Sequence, residues 1–144
     1  MNKMIVVGCD HGGYELKEEI KKHLISKGYE VADVGCDGEN CDYPDIAHAA
    51  TDKIVSGECE YGILCCGTGI GISIAANKVK GIRAALVSEP VSAALTKQHN
   101  NSNMLCFGGR VTGPALAIGC VDAWLSAEFE GGRHQIRVDK IEKL

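Results

Sequence analysis

Basic runs longer than two residues are absent from this sequence, and its formal net charge is −4. A nucleic-acid partner is excluded on that balance, and an anionic ligand needs a local basic pocket working against the overall charge. Long apolar runs are also missing. The opening MNKMIVVG has no signal-peptide core and no cleavage site, and no stretch suits a membrane span. Linkers, repeats and low-complexity segments do not occur. The eight cysteines are Cys9, Cys36, Cys41, Cys59, Cys65, Cys66, Cys106 and Cys120, and none of them forms a C-x-x-C pair. No zinc ribbon is therefore written into their spacing. Most sit in apolar segments and read as small buried hydrophobes. Free thiols without an export signal point to the cytoplasm.

What is present suits one domain spanning residues 1–144, with a 45% hydrophobic and 24% charged composition. Short apolar runs alternate with amphipathic stretches. Residues 4–7, 30–34, 61–65, 82–87 and 103–107 read as strands. Residues 12–27 read as a helix with Leu16, Ile20 and Leu24 on one face and Lys17, Glu18, Lys21 and Lys22 on the other, ended by Gly28. Further helices are expected over 44–55, from the glycine loop to 77, over 90–98, 113–125 and 134–143. Strands that are continuously apolar, rather than alternating, imply a parallel sheet covered on both faces. Right-handed crossovers make it a doubly wound, three-layer αβα sandwich. Ligands of such sheets bind outside the carboxyl ends of the strands.

Those strand ends hold unusual chemistry. The first runs into Cys9-Asp10-His11-Gly12-Gly13, the third into Cys66-Gly67-Thr68-Gly69-Ile70-Gly71, and the fifth into Gly108-Gly109-Arg110. Gly67, Gly69 and Gly71 let backbone N–H groups turn toward a ligand oxygen at a helix start. The G-x-G-x-G spacing is neither the dinucleotide fingerprint nor a P-loop. Alone, it serves equally as a tight strand-to-helix turn. A thiol at a helix N-terminus favours its thiolate, although Cys66 alone reads first as a small residue filling that turn. Cys65, one strand residue earlier, should face the other side. His99 lies after the fourth helix, as a proton carrier or a helix cap. Tyr43 precedes a proline in an acidic loop, as a ligand contact or a packing lid. Arg133 and Arg137 are four residues apart and share a helix face beyond the core sheet, where a neighbouring subunit's pocket is within reach. Guanidinium forks suit a phosphate dianion. Surface ion pairs with Glu128, Glu130 or Asp139 are the plainer use.

The strings VGCDHGGYELK, CGTGIGISIAANKVKGIRAAL, HNNSN, GGRVTG and FEGGRHQIRVDKI resemble type B ribose-5-phosphate isomerases, collinearly from the first strand to the last helix. The wider family includes allose-6-phosphate and galactose-6-phosphate isomerases. The resemblance implies a Rossmann-like five-stranded parallel sheet, a homodimer or homotetramer with a C-terminal helix for dimerisation, a sugar-phosphate substrate, and no metal or cofactor. It implies Cys66 as the base that moves a proton between C1 and C2, Thr68 as an assisting hydroxyl, and His99 as the residue that opens the furanose ring. Asp10, Tyr43 and Asn100 match sugar contacts, with Asp42 an acidic neighbour. His11 and Arg110 match phosphate contacts. Arg133 and Arg137 match contacts from the partner subunit. Gly67, Gly69, Gly71 and Ser73 match the anion-binding loop.

The chemistry agrees. Aldose–ketose isomerisation needs a positioned base, donors aimed at an enediolate oxygen, and a separate group to open the ring. Gripping the unreactive phosphate positions the reacting carbons. Ribose 5-phosphate is the expected substrate. A six-carbon sugar phosphate, or phosphosugar binding without catalysis, are the competing readings.

Overall fold

Five apolar strands placed side by side bury the centre of the chain. In the computed structural model, which describes residues 3–144, they are β1 (Met4–Cys9), β2 (Glu30–Asp33), β3 (Tyr61–Cys66), β4 (Ala84–Leu86) and β5 (Met104–Gly108). All pairings are parallel, in the order β2-β1-β3-β5-β4. The continuous apolar runs are the central strands: β5 is buried throughout, while the edge strands β2 and β4 are half covered. The fourth strand is shorter than its apolar run, because at the sheet edge only residues 84–86 pair along β5.

Helices α1 (Tyr14–Ser26), α4 (Pro90–Asn100) and α5 (Pro114–Ser126) cover one face. Helices α2 (Tyr43–Val55) and α3 (Ile70–Ala76) cover the other. Leu16, Ile20 and Leu24 of α1 are buried against the sheet, with Trp124 of α5 in the same cluster. A 3₁₀ turn, His11–Gly13, precedes α1. The helix α6 (Arg133–Glu142) buries only His134 and Val138, with Ile136 left 60% exposed. No helix among the described residues is long and apolar enough to cross a membrane.

The chain leaves β1 and β5 toward one face and β3 toward the other. The carboxyl ends of β1, β3 and β5 are thus where the winding reverses, which opens a crevice there.

Six cysteines are free and buried, in line with their apolar surroundings. Cys36 and Cys41 depart from the expectation of free thiols: they form a disulfide within the loop joining β2 to α2. That loop turns through Gly35 and Gly38, both at positive φ, and the turn folds the two cysteines onto each other.

Candidate active site

Backbone hydrogen bonds knit three strand ends into one floor. Asp10 follows β1, and its N–H donates to the Cys65 carbonyl at 3.2 Å. Its buried carboxylate accepts from the N–H groups of Gly12 (2.8 Å) and Gly13 (3.2 Å), capping the 3₁₀ turn. After β5, Gly109 N–H donates to the Cys66 carbonyl (2.8 Å) and Arg110 N–H to the Gly67 carbonyl (3.0 Å).

Cys66 ends β3 facing the α2–α3 side, whereas Cys65 faces the α1–α5 side. The two thiols differ as strand alternation requires. Burial holds the Cys65 thiol well above the ordinary range. Cys66 is only 4% exposed, yet the N–H of Gly69 donates to its sulfur at 3.1 Å. This donor is available because Gly69 takes φ +80°, which folds the loop back over the strand end before α3 begins. The bond fixes the sulfur at the strand end, beneath the turn of the glycine loop.

Other polar groups lie on the glycine loop and on the neighbouring turns. Thr68 is exposed, and its Oγ1 accepts from Ile70 N–H at 3.2 Å, leaving its proton free to donate outward. The Tyr43 ring lies flush on the loop: a Cβ at Gly71 would stand 2.6 Å from Tyr43 Cζ. Arg110 crosses Gly67, its Nη1 at 3.3 Å from where a Cβ would be. His11 is exposed at the start of the 3₁₀ turn, and Asp42 is exposed at the N-cap of α2. Ser73 is drawn away, since its hydroxyl donates to the Ile70 carbonyl at 2.7 Å inside α3.

A second cluster forms at the opposite edge. His99 does not follow the fourth helix; it lies in its last turn, with Asn101 as the left-handed cap. Because α4 starts beyond the carboxyl end of β4 and runs back along the sheet, its end lies at the amino edge. Arg83, just before β4, marks that edge: its Nε donates to the Asn100 carbonyl at 2.9 Å. The tail docks there too, through Glu130 N–H to the Gln98 carbonyl (3.0 Å) and the Arg83–Glu142 ion pair. His99, Asn100, Arg133 and Arg137 thus collect at one edge, and Asp10, Cys66, Thr68 and Arg110 at the other. Arg110, Arg133 and Arg137 have no ion-pair partner among the described residues. Of the three acids named as alternatives, Asp139 accepts from Gln135 and Glu130 faces two histidines, while Glu128 makes no ion pair among the described residues.

Those histidines are His99 and His134, stacked with centroids 4.3 Å apart and planes 9° apart. His134 and Glu130 are the polar residues that the sequence reading did not select. Their i, i+4 spacing was visible, but the tail's docking onto α4 was not. The zinc-like spacing absent from the sequence has a spatial counterpart, since ligand atoms of His99, Glu130 and His134 lie within 4.8 Å of one another. Stacked rings aim their lone pairs in parallel rather than at one point. Arg133 and Arg137 place further positive charge beside His134. The group therefore suits proton handling better than a cation.

Residues 5–141 match the family described as Ribose/Galactose Isomerase. The chain belongs to that family. It is 55% identical to ribose-5-phosphate isomerase B of Escherichia coli strain K12, over 99% of this chain and 96% of that protein. The fold matches ribose-5-phosphate isomerase B of Clostridium thermocellum with a TM-score of 0.96 at 52% identity, covering 97% of this chain and 95% of the other. Ribose-5-phosphate isomerase B of Mycoplasma genitalium, solved with bound ribulose-5-phosphate, matches with a TM-score of 0.92 at 46% identity, covering 97% and 94%. The five-stranded parallel α/β fold expected from the strand pattern is the family's fold.

Proposed function

We propose that this protein interconverts ribose 5-phosphate and ribulose 5-phosphate through an enediolate. The observation that carries the reading is the Cys66 sulfur, which receives the Gly69 N–H at 3.1 Å where three strand ends meet. Cys66 takes the proton from C2 of the open-chain aldose and returns it to C1. The glycine loop, Gly67, Gly69 and Gly71, offers N–H groups to the oxyanion, and Thr68 relays protons between the sugar oxygens. Ser73 steadies that loop through its bond to the Ile70 carbonyl rather than by donating to the ligand. Asp10, Tyr43 and Asn100 hold the sugar hydroxyls, with Asp42 at the rim. His11 and Arg110 grip the phosphate.

The ring opener His99, with Asn100, Arg133 and Arg137, comes from a second copy of the chain. What supports this is their position at the amino edge, remote from their own chain's Cys66. A homodimer, alone or within a tetramer, completes the site. No metal or cofactor enters the reaction. The enzyme works in the cytoplasm: six of its eight cysteines are unpaired, and the Cys36–Cys41 bridge is the exception to that pattern.

The test is to add purified protein to ribose 5-phosphate and follow ribulose 5-phosphate. The kcat/KM for ribose, allose and galactose phosphates is compared in the same assay. No ketose, or a six-carbon preference, overturns the proposal.

A further inference from the structure

His99 has a free imidazole on an exposed helix end. Its side chain is 37% exposed, and among the described residues it makes no hydrogen bond. A histidine in that state samples several ring orientations and both neutral tautomers, which suits a solvated surface better than acid–base work on one oxygen. Two tail residues limit that freedom. The His134 ring lies flat against it, 4.3 Å away and 9° from parallel. His134 is itself fixed, with a side chain only 9% exposed and its backbone N–H bonded to the Gly131 carbonyl at 3.0 Å. Glu130 is tied to the same helix end, since its N–H donates to the carbonyl of Gln98, the residue before His99, at 3.0 Å. Its Oε1 stands 3.9 Å from His99 Nε2 and 3.5 Å from His134 Nε2. His134 Nε2 is buried and has no hydrogen-bond partner among the described residues. A buried nitrogen left in that state is costly, and the carboxylate beside it is the group that can satisfy it.

We propose that His134 and Glu130 are positioning residues for His99: the stacked imidazole fixes the plane of the His99 ring, and the carboxylate fixes its tautomer. The inference rests on the ring-opening role given to His99 above. With Glu130 drawing the proton to Nε2, Nδ1 of His99 keeps its lone pair for the sugar. Nδ1 takes the proton of the C1 hydroxyl and returns a proton to the ring oxygen as the C1–O bond breaks, so the imidazole ends as it began. The carboxylate holds the cationic intermediate between those two transfers. His134 touches no reacting atom. It acts through the stack, and Glu130 acts through the far nitrogen. A carboxylate oriented on one ring nitrogen sets the role of the other.

The test separates ring opening from proton transfer in variants of the assembled enzyme. His134→Ala and Glu130→Gln should each lower kcat on ribose 5-phosphate by about tenfold to a hundredfold, within the range of a general acid–base contribution. Solvent exchange of the C1 proton of ribulose 5-phosphate, which needs no ring, should stay within about twofold of wild type. KM should change little. His134→Phe, which keeps a flat ring in the stack, should recover most of the kcat lost in His134→Ala. Unchanged kcat in His134→Ala and Glu130→Gln overturns the proposal. A fall in exchange that matches the fall in kcat also overturns it, as does a rise in KM with kcat intact, which would make His134 a support for Arg133 and Arg137 instead. His99→Asn is the control for the underlying reading. If it fails to slow the ring-dependent reaction while sparing exchange, the ring-opening role itself is wrong. If it succeeds and His134→Ala matches wild type, only the positioning role falls.

Discussion

Mixing two inactive variants should produce activity. In β3, Cys66 pairs beside Gly108 and Gly62 beside Met104, so the two sheet edges are four residues, or about 13 Å, apart. Helix α4 spans that distance in its 11 residues, about 16 Å, and delivers His99 to the far edge. A five-carbon sugar phosphate cannot meet Cys66 and His99 of one chain across either span. On the proposed roles, Cys66→Ala lacks the base in every site, and His99→Asn lacks the ring opener in every site. Each homodimer should retain about one-hundredth of wild-type turnover or less. In a mixed dimer with shared sites, one site carries both defects and the other carries neither. Random 1:1 reassembly makes about half the dimers mixed, so total activity should return to about a quarter of wild type.

The assay is ribulose 5-phosphate formation after co-refolding, with the two chains carrying different tags so that mixed dimers can be isolated. Purified mixed dimers should reach about half of wild type by the same count of sites. If each chain instead built its own site, every site in the mixture would carry one defect and activity would stay at the homodimer background. Isolated mixed dimers at background would refute the argument from sheet edges. Arg137→Ala in place of His99→Asn should complement Cys66→Ala in the same way, because the tail docks at the same edge.

Cys66→Ala should fold and lose about 10²–10⁴-fold in turnover, while Cys65→Ala, on the opposite face of the sheet, should cost far less; near-equal rates for wild type and Cys66→Ala, measured side by side, would remove the base assignment. Dialysis against a strong chelator should leave the isomerase rate unchanged, and loss of rate with recovery on adding a divalent ion would contradict that expectation. Lys97 is 6% exposed, with its ammonium 3.7 Å from the Tyr61 ring centroid; burial, opposed by Glu60 and aided by Lys3, pushes it down to about 8. Its charge therefore costs the folded state most below pH 8 and nothing once pH exceeds the ordinary lysine value. Lys97→Met should raise stability at pH 7 by about 1–2 kcal/mol after the lost cation–π contact is subtracted, and by less near pH 10; urea unfolding at both pH values checks it, and destabilisation at pH 7 would show that the ring contacts outweigh burial.

The sheet was readable because buried parallel strands leave unbroken apolar runs, and MIVVGC and YGILCC are such runs. The carboxyl-edge residues were readable for the same reason: once a strand's direction is known, Asp10, Cys66 and Arg110 must stand at its end. Boundaries failed where solvent or turn chemistry decides. The fourth strand stops short at the sheet edge, and α4 continues through His99 and Asn100 because the left-handed residue that ends it is Asn101. The Cys36–Cys41 bridge was unreadable, since four residues of loop between two cysteines do not specify how the loop folds. The contact of Glu130 and His134 with His99 joins segments about thirty residues apart and depends on where the tail docks.

The edge on which His99 stands was implicit in the strand order, even though its role came from family resemblance. A helix that follows a parallel strand must return to the amino edge before the next strand can begin. A residue in the last turn of such a helix therefore cannot reach the carboxyl-edge crevice of its own chain. Asp10, Cys66 and Arg110 follow strands directly, whereas His99 and Asn100 end a helix and Arg133 and Arg137 begin one docked beside it. If all of them act on one sugar phosphate, a second copy of the chain must supply one group, and that requirement comes from connectivity before any side chain is placed.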